Sequence, residues 1–184
     1  MQFNVAQLLK QSVGGKREYD VEEPLGDLDP DLIPVAPIEG HVKLVRTRDG
    51  VLVTGELETV LEVNCSRCLE AFDLPVEIEI EEEYKSKVDL RTGANLPVTD
   101  EDEAATLIDD RHIIDLSEVV RQNLLVALPI TAVCRQECKG LCPNCGQNWN
   151  EGPCDCAPEV SDPRWSALAD LLQQIKPAEG PSSN

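Results

Sequence analysis

Eight cysteines carry most of the chemistry open to this 184-residue chain. Six of them fall within the 23 residues from Cys134 to Cys156, CRQECKGLCPNCGQNWNEGPCDC, and two form an upstream CSRC pair. They come in couples: Cys65-x2-Cys68, Cys134-x3-Cys138, Cys142-x2-Cys145 and Cys154-x-Cys156. A Cys-x2-Cys turn lets two thiolates reach one ion while the backbone reverses. A structural zinc wants four N or S donors at the corners of a tetrahedron. Gly146 follows Cys145, and a glycine there can take positive φ and turn the knuckle's amides toward sulfur. The expected cofactor is zinc, as two ions, with all eight cysteines as ligands.

Other uses of thiols fit less well. Disulfides need an oxidising compartment, whereas MQFNVAQLLKQ lacks the basic start and long apolar core of a signal peptide. That points to the cytoplasm. The spacing matches neither common ferredoxin pattern, which argues against an iron–sulfur cluster. A redox dithiol at Cys65 and Cys68 would leave six further cysteines unexplained.

Four couples make two four-sulfur sites in three ways. Sequence proximity favours Cys142, Cys145, Cys154 and Cys156 as one site, with Cys65, Cys68, Cys134 and Cys138 stapling the two halves of the chain. The competing arrangement joins Cys134, Cys138, Cys142 and Cys145, and leaves Cys65 and Cys68 to meet Cys154 and Cys156. The single residue between Cys154 and Cys156 is tight, so one of them could be a bystander. His41 and His112 sit outside the clusters and read as ordinary strand or loop residues.

The elements that must position these thiols follow from hydrophobic periodicity. Residues 38–85 alternate strongly: IEGHVKLVRTR, a two-residue hairpin signal at Asp49-Gly50, and then Val51, Val53, Leu57, Leu61 and Val63. After CSRC, Phe72, Leu74, Val76, Ile78 and Ile80 alternate with acids. Three strands thus make an antiparallel meander, with the CSRC knuckle capping its second turn. Glutamates 77, 79, 81, 82 and 83 read as the solvated face of an edge strand rather than a catalytic array. Asp115 and Glu118 occupy N-cap and capping-box positions. The stripe Leu116, Val119, Val120, Asn123, Leu124 and Ala127 predicts a core helix that Pro129 ends. Upstream, residues 3–10 suggest a short amphipathic helix, REYDVEE a strand, and the four prolines of 24–37 an extended surface linker. Downstream, 96–110 is an acidic loop or short helix. Asp162-Pro163 opens a second helix, whose inner face is Trp165, Leu168, Leu172 and Ile175, with Trp165 as a core anchor.

These readings give an α+β fold: an antiparallel meander packed on a core helix, with a cysteine-rich, zinc-binding C-terminal region. The expected organisation is 1–37 (helix, strand and linker), 38–133 (meander and core helix), 134–175 (zinc module and C-terminal helix) and 176–184 (disordered tail).

Charge narrows the function. Net charge is −19, with a pI near 4.3. Eight thiolates holding two zinc ions would make the chain roughly four charges more negative. Such a surface repels phosphate. It suits a basic protein partner, or RNA contact limited to a local basic patch. The densest basic cluster, Lys43, Arg46 and Arg48 near one sheet edge, is the first candidate for RNA contact. Its plainer reading is solvated strand charge. Aromatic content of 3% is too low for a base-stacking platform, and no apolar run approaches membrane-spanning length. No P-loop, GxGxxG, GxSxG or HExxH motif is present. All-cysteine zinc sites are generally closed rather than catalytic, so an enzyme is the minority reading.

CSRCLEAF (65–72), IDLSEVVRQNLLVALP (114–129), GLCPNCGQNWNEGPCDC (140–156) and DPRWSALADLL (162–172) together resemble the YceD family, in order and in spacing. The resemblance covers most of residues 38–175. It implies a role in accumulation of large-subunit (23S) ribosomal RNA: its synthesis, processing or stability during large-subunit assembly. It also implies a partner, because family members are commonly encoded beside a small zinc-ribbon protein of the large subunit. Some members keep the upstream Cys-x2-Cys but lose most of the GLCPxCG cluster, so the second site is not indispensable to the family's role. The family supplies no catalytic residues. The expectation is therefore a non-enzymatic factor acting through a basic large-subunit ribosomal protein or precursor rRNA. The alternatives are a zinc–thiolate redox switch, a metal-dependent nuclease, or a stably bound ribosomal protein, against which the charge argues.

Overall fold

The computed structural model describes residues 1–88, 106–156, 163–165 and 171. Two compact units are formed, Met1–Gly140 and Leu141–Asn184. The elements of the first are β1 (Gln2–Asn4), α1 (Ala6–Leu9), β2 (Lys16–Glu23), β3 (Ile33–Pro34), β4 (Ile38–Arg46), β5 (Gly50–Asn64), β6 (Ala71–Ser86), β7 (Leu107–Ile108), β8 (Ile113–Asp115) and α2 (Ser117–Ala127). Among the described residues, no helix is long and apolar enough to cross a membrane.

The fold is mixed α+β, and the meander is present as read. The main sheet runs β2-β4-β5-β6-β7, with β3 also on β5, and all pairs are antiparallel except β6 with β7. Because side chains alternate across a strand, register puts one set of apolar residues on one face. Val42 and Leu44, Val53 and Leu57, and Ile78 and Ile80 are buried there together. Leu116, Val119, Val120 and Leu124, at and inside the start of α2, join the same core. Each such aliphatic side chain contributes about 1.5–3 kcal/mol on burial.

The opposite face is acidic. Glu22, Glu39, Glu58 and Glu77 stand directly across from one another on β2, β4, β5 and β6, all exposed. The next row is Asp20, His41, Glu56 and Glu79, with His41 Nδ1 3.0 Å from Asp20. Glu81 and Glu83 extend this face along β6, which β7 covers only at Lys85 and Ser86. Glu82 differs from the expectation: its partner is Val53, so alternation places it on the core side.

Several local readings need correction. The Asp49-Gly50 hairpin is not a two-residue turn: Arg46 pairs with Val51, Thr47 to Asp49 lie between the strands, and Gly50 already belongs to β5, opposite Lys85 on β6. The Arg46 guanidinium donates to the carbonyls of Thr47 (2.7 Å) and Gly50 (2.6 Å). The stretch 3–10 is not one helix. Phe3 is drawn into β1 opposite Ile114 and lies 5.0 Å from the Tyr19 ring, leaving one helical turn. The proline-rich segment does more than cover the surface, since Leu25 and Leu32 are buried and β3 pairs with β5. At α2 the N-cap is Leu116, without a side-chain cap bond, and not Asp115, which ends β8 and accepts from the Ser117 amide (2.9 Å). Glu118 does not reach back to complete a capping box. It takes the Arg121 guanidinium (2.7 Å), whose other arm donates to Asp29 (2.8 Å) and so ties the proline-rich segment to the helix.

Trp165 is 58% exposed in a short 3-10 turn, Pro163–Trp165, so it is no core anchor. Leu168, Leu172 and Ile175, the 96–105 part of the acidic stretch and the tail 176–184 lie outside the described residues.

Candidate metal centres

Two groups of four cysteines converge: Cys65, Cys68, Cys134 and Cys138, and Cys142, Cys145, Cys154 and Cys156. Of the three possible pairings this is the one that sequence proximity favours. Within each group all four sulfurs lie within 4.8 Å of one another. Both Cys154 and Cys156 belong to their group, so neither is a bystander to its geometry. His41 and His112 take no part.

The first group is built by two elements of the main unit. β5 and β6 are joined by a tight loop in which the Cys65 amide donates to Glu70 O (2.9 Å) and the Leu69 amide to Cys65 O (2.9 Å). The other two sulfurs arrive on the chain leaving α2. Ser66 N donates to Ala132 O (2.7 Å), docking that chain on the knuckle. Arg67 closes the arrangement by donating to Gln136 O (3.1 Å) and Cys138 O (3.0 Å). Gly140 takes φ +76 here, and a Cβ would come 3.0 Å from Arg67 O. Three of the four cysteines are buried.

The distances suit one ion. Four sulfurs at about 2.3 Å from a tetrahedral zinc stand about 3.8 Å apart. Cys65 Sγ is 3.8 Å from Cys138 Sγ, and Cys68 Sγ is 3.8 Å from Cys134 Sγ. Disulfide bonding at about 2.05 Å is not what joins them, and all eight cysteines are free. A polynuclear iron–sulfur cluster would spread its cysteine sulfurs further apart.

The second group lies in the second unit, on the Cys142–Cys145 knuckle and the Cys154–Cys156 pair. Gly146 has φ +75, as expected of the residue after the knuckle, but its amide donates to Cys142 O (2.9 Å) and not to sulfur. The two knuckles share this conformation. In the first, Leu69 occupies the equivalent place with φ +61, a conformation that costs a bulky residue energy. Trp149 donates its indole N–H to Cys154 Sγ at 3.4 Å.

Ionisation within each group is uneven. The amides of Cys134 and Cys68 draw Cys65 down to about 6. Although the Glu70 amide pulls Cys68 the same way, burial and the neighbouring thiols push it up to about 12. Burial also raises Cys134. In the second group the Trp149 indole lowers Cys154 to about 6, while the Cys145 thiol and burial push Cys156 up to about 12. Once one sulfur is a thiolate, the others part with protons against its field. A divalent cation at the centre removes that penalty and lets all four ionise at neutral pH. The donor set therefore fits a metal ion, and four protein donors leave no open position for a substrate.

Arg67 and Trp149 escaped the sequence reading. A cation between two knuckle cysteines and an indole five residues before a cysteine were the available signals. Lys43, Arg46 and Arg48 are not assembled into one patch. β4 lies between β2 and β5 rather than at the sheet edge. Alternation puts Lys43 opposite Arg46, Arg46 holds the hairpin, and Arg48 is exposed in the turn.

Residues 53–172 match the family model described as large ribosomal RNA subunit accumulation protein YceD. An uncharacterized protein of Mycobacterium tuberculosis is 32% identical over 74% of this chain and 63% of its own length. The Arabidopsis thaliana protein named large ribosomal RNA subunit accumulation protein YCED homolog 1, chloroplastic, is 30% identical over 78% of this chain and 51% of its own length. An uncharacterized Bacillus subtilis protein is 25% identical over 94% of this chain and 95% of its own length. This chain thus spans between half and two thirds of the mycobacterial and plant relatives. No solved structure matches it.

Proposed function

This chain belongs to the YceD family, and from that premise we propose that it supports accumulation of large-subunit rRNA as a non-enzymatic assembly factor. It works in the cytoplasm, holds a zinc ion in each tetrathiolate cluster, and engages a basic protein of the large subunit through its acidic sheet face. Zinc is the ion because four thiolates in a closed tetrahedron suit it and leave it structural. Its eight ligands are the eight cysteines.

The observation that carries the partner class is the row Glu22, Glu39, Glu58 and Glu77. Like charges directly opposite across strands destabilise a sheet. A row of four, flanked by further acids, is therefore retained against its cost to folding, and a lysine- and arginine-rich surface would relieve it. Ribosomal proteins are such surfaces, since they neutralise phosphate. Direct contact with precursor rRNA is the weaker reading, because Lys43, Arg46 and Arg48 do not share a face.

Capture of the tagged chain from cell extract, with and without RNase, tests this. One basic large-subunit protein should be retained after RNase treatment. Retention of precursor rRNA that disappears with RNase, and of no ribosomal protein, would overturn it in favour of direct RNA contact.

A further inference from the structure

Solvent reaches the two clusters very differently. In the first, Cys65, Cys68 and Cys138 are buried and Cys134 is half-buried. In the second, Cys142 alone is buried, Cys154 and Cys156 are half-buried, and Cys145 is exposed. Oxidation of a metal-bound thiolate requires the oxidant to reach sulfur. We propose that Cys145 is an oxidation site, through which a peroxide opens the 142–156 cluster and releases its ion while the 65–138 cluster keeps its own. This rests on the zinc reading above.

The chemistry balances within the cluster. The Cys145 thiolate attacks one oxygen of the peroxide, giving a sulfenic acid and releasing hydroxide. A second cluster sulfur, within 4.8 Å, attacks the sulfenic sulfur, closes a disulfide and expels another hydroxide. Two thiolates have lost two electrons, and the peroxide has gained them. Two sulfur donors remain, half of what the ion needs, so it leaves. A dithiol reductant and zinc restore the site.

The architecture confines the consequence. The second cluster ties together only residues of its own unit, from Cys142 to Cys156, whereas the meander and α2 are tied by the first. Opening the second cluster frees Cys154 Sγ from its place beside the Trp149 indole, so Trp149 reports the event. The chain has two tryptophans, and Trp165→Phe leaves Trp149 as the single emitter.

The experiment treats the full Trp165→Phe chain, loaded with zinc, with hydrogen peroxide. Metal release is followed with a chromophoric chelator, Trp149 emission is recorded, and disulfides are mapped by peptide mass spectrometry. One equivalent of zinc should leave at least about tenfold faster than the second, as the difference in access dictates. Trp149 emission should change at the same rate, and the disulfide should include Cys145. Cys145→His, which keeps a donor but removes the accessible sulfur, should slow the fast phase. If that variant does not bind two ions, the disulfide map of the parent chain decides. Release of both ions together, or a first disulfide without Cys145, would overturn the proposal. Fewer than two zinc ions bound before oxidation would instead overturn the zinc reading, and this proposal with it.

Discussion

Removing the Cys65–Cys68 knuckle by Cys65→Ala with Cys68→Ala tests how much the first cluster holds the main unit together. The sulfurs it joins belong to residues 73 apart in sequence. In a chain-entropy treatment of cross-links, tethering positions that far apart withholds about 4 kcal/mol of freedom from the unfolded chain. For a unit of this size that corresponds to a fall in Tm of roughly 10 °C or more. The matched control, Cys154→Ala with Cys156→Ala, opens only a local loop in the other unit and should leave the meander's transition in place. Circular dichroism melts of zinc-loaded proteins at equal concentration, read at the β-sheet signal, make the comparison. A shift below about 3 °C for the knuckle variant, on the same scale, would refute the stapling argument. An equal shift for the control would do so too.

Three further outcomes follow from local geometry. Glu118, held by Arg121 and Gln122, has its pKa lowered from the ordinary 4.5 to about 2. The unfolded chain therefore binds the extra proton first, so the contribution is present above pH 4.5 and disappears as pH falls toward 2. Urea melts between pH 6 and 2.5 should show that decline, and Glu118→Gln should make it shallower, leaving the part that the likewise lowered carboxyls of Asp29, Asp109 and Asp115 contribute. Leu69→Gly relieves a left-handed leucine that is 65% exposed. It should be neutral or raise stability by up to about 1 kcal/mol, whereas Gly146→Ala should cost about 1 kcal/mol, both by thermal melt. Arg46→Ala removes two hydrogen bonds to turn carbonyls and should cost about 1–2 kcal/mol in urea, with Arg48→Ala close to neutral.

Legibility in the sequence tracked the strength of the physical constraint. The alternation from Val51 to Ile80 is long and two-sided, so the β5–β6 hairpin and its CSRC cap were readable. For the cysteines, proximity favoured the observed grouping without excluding its competitor, because each couple is locally closed and the chain then needs only one long-range meeting. Failures came where tertiary contacts outweighed local preference. Phe3 left a helical pattern for a strand opposite Ile114, Glu118 chose Arg121 over its own backbone, and Arg46 remade the Asp49-Gly50 turn. The carboxylate row was hidden for another reason. Each acid looks like an ordinary solvated residue on its own strand, and only the cross-strand register brings Glu22, Glu39, Glu58 and Glu77 into line.

The proposed role of the acidic face in large-subunit rRNA accumulation is open to one direct test. In cells lacking the chain, the ratio of large to small rRNA is compared after complementation with the parent protein or with Glu39→Gln, Glu58→Gln and Glu77→Gln combined. The variant should fold, bind two zinc ions, and fail to restore the ratio. Full restoration by a variant that has lost those three charges would contradict the proposed role.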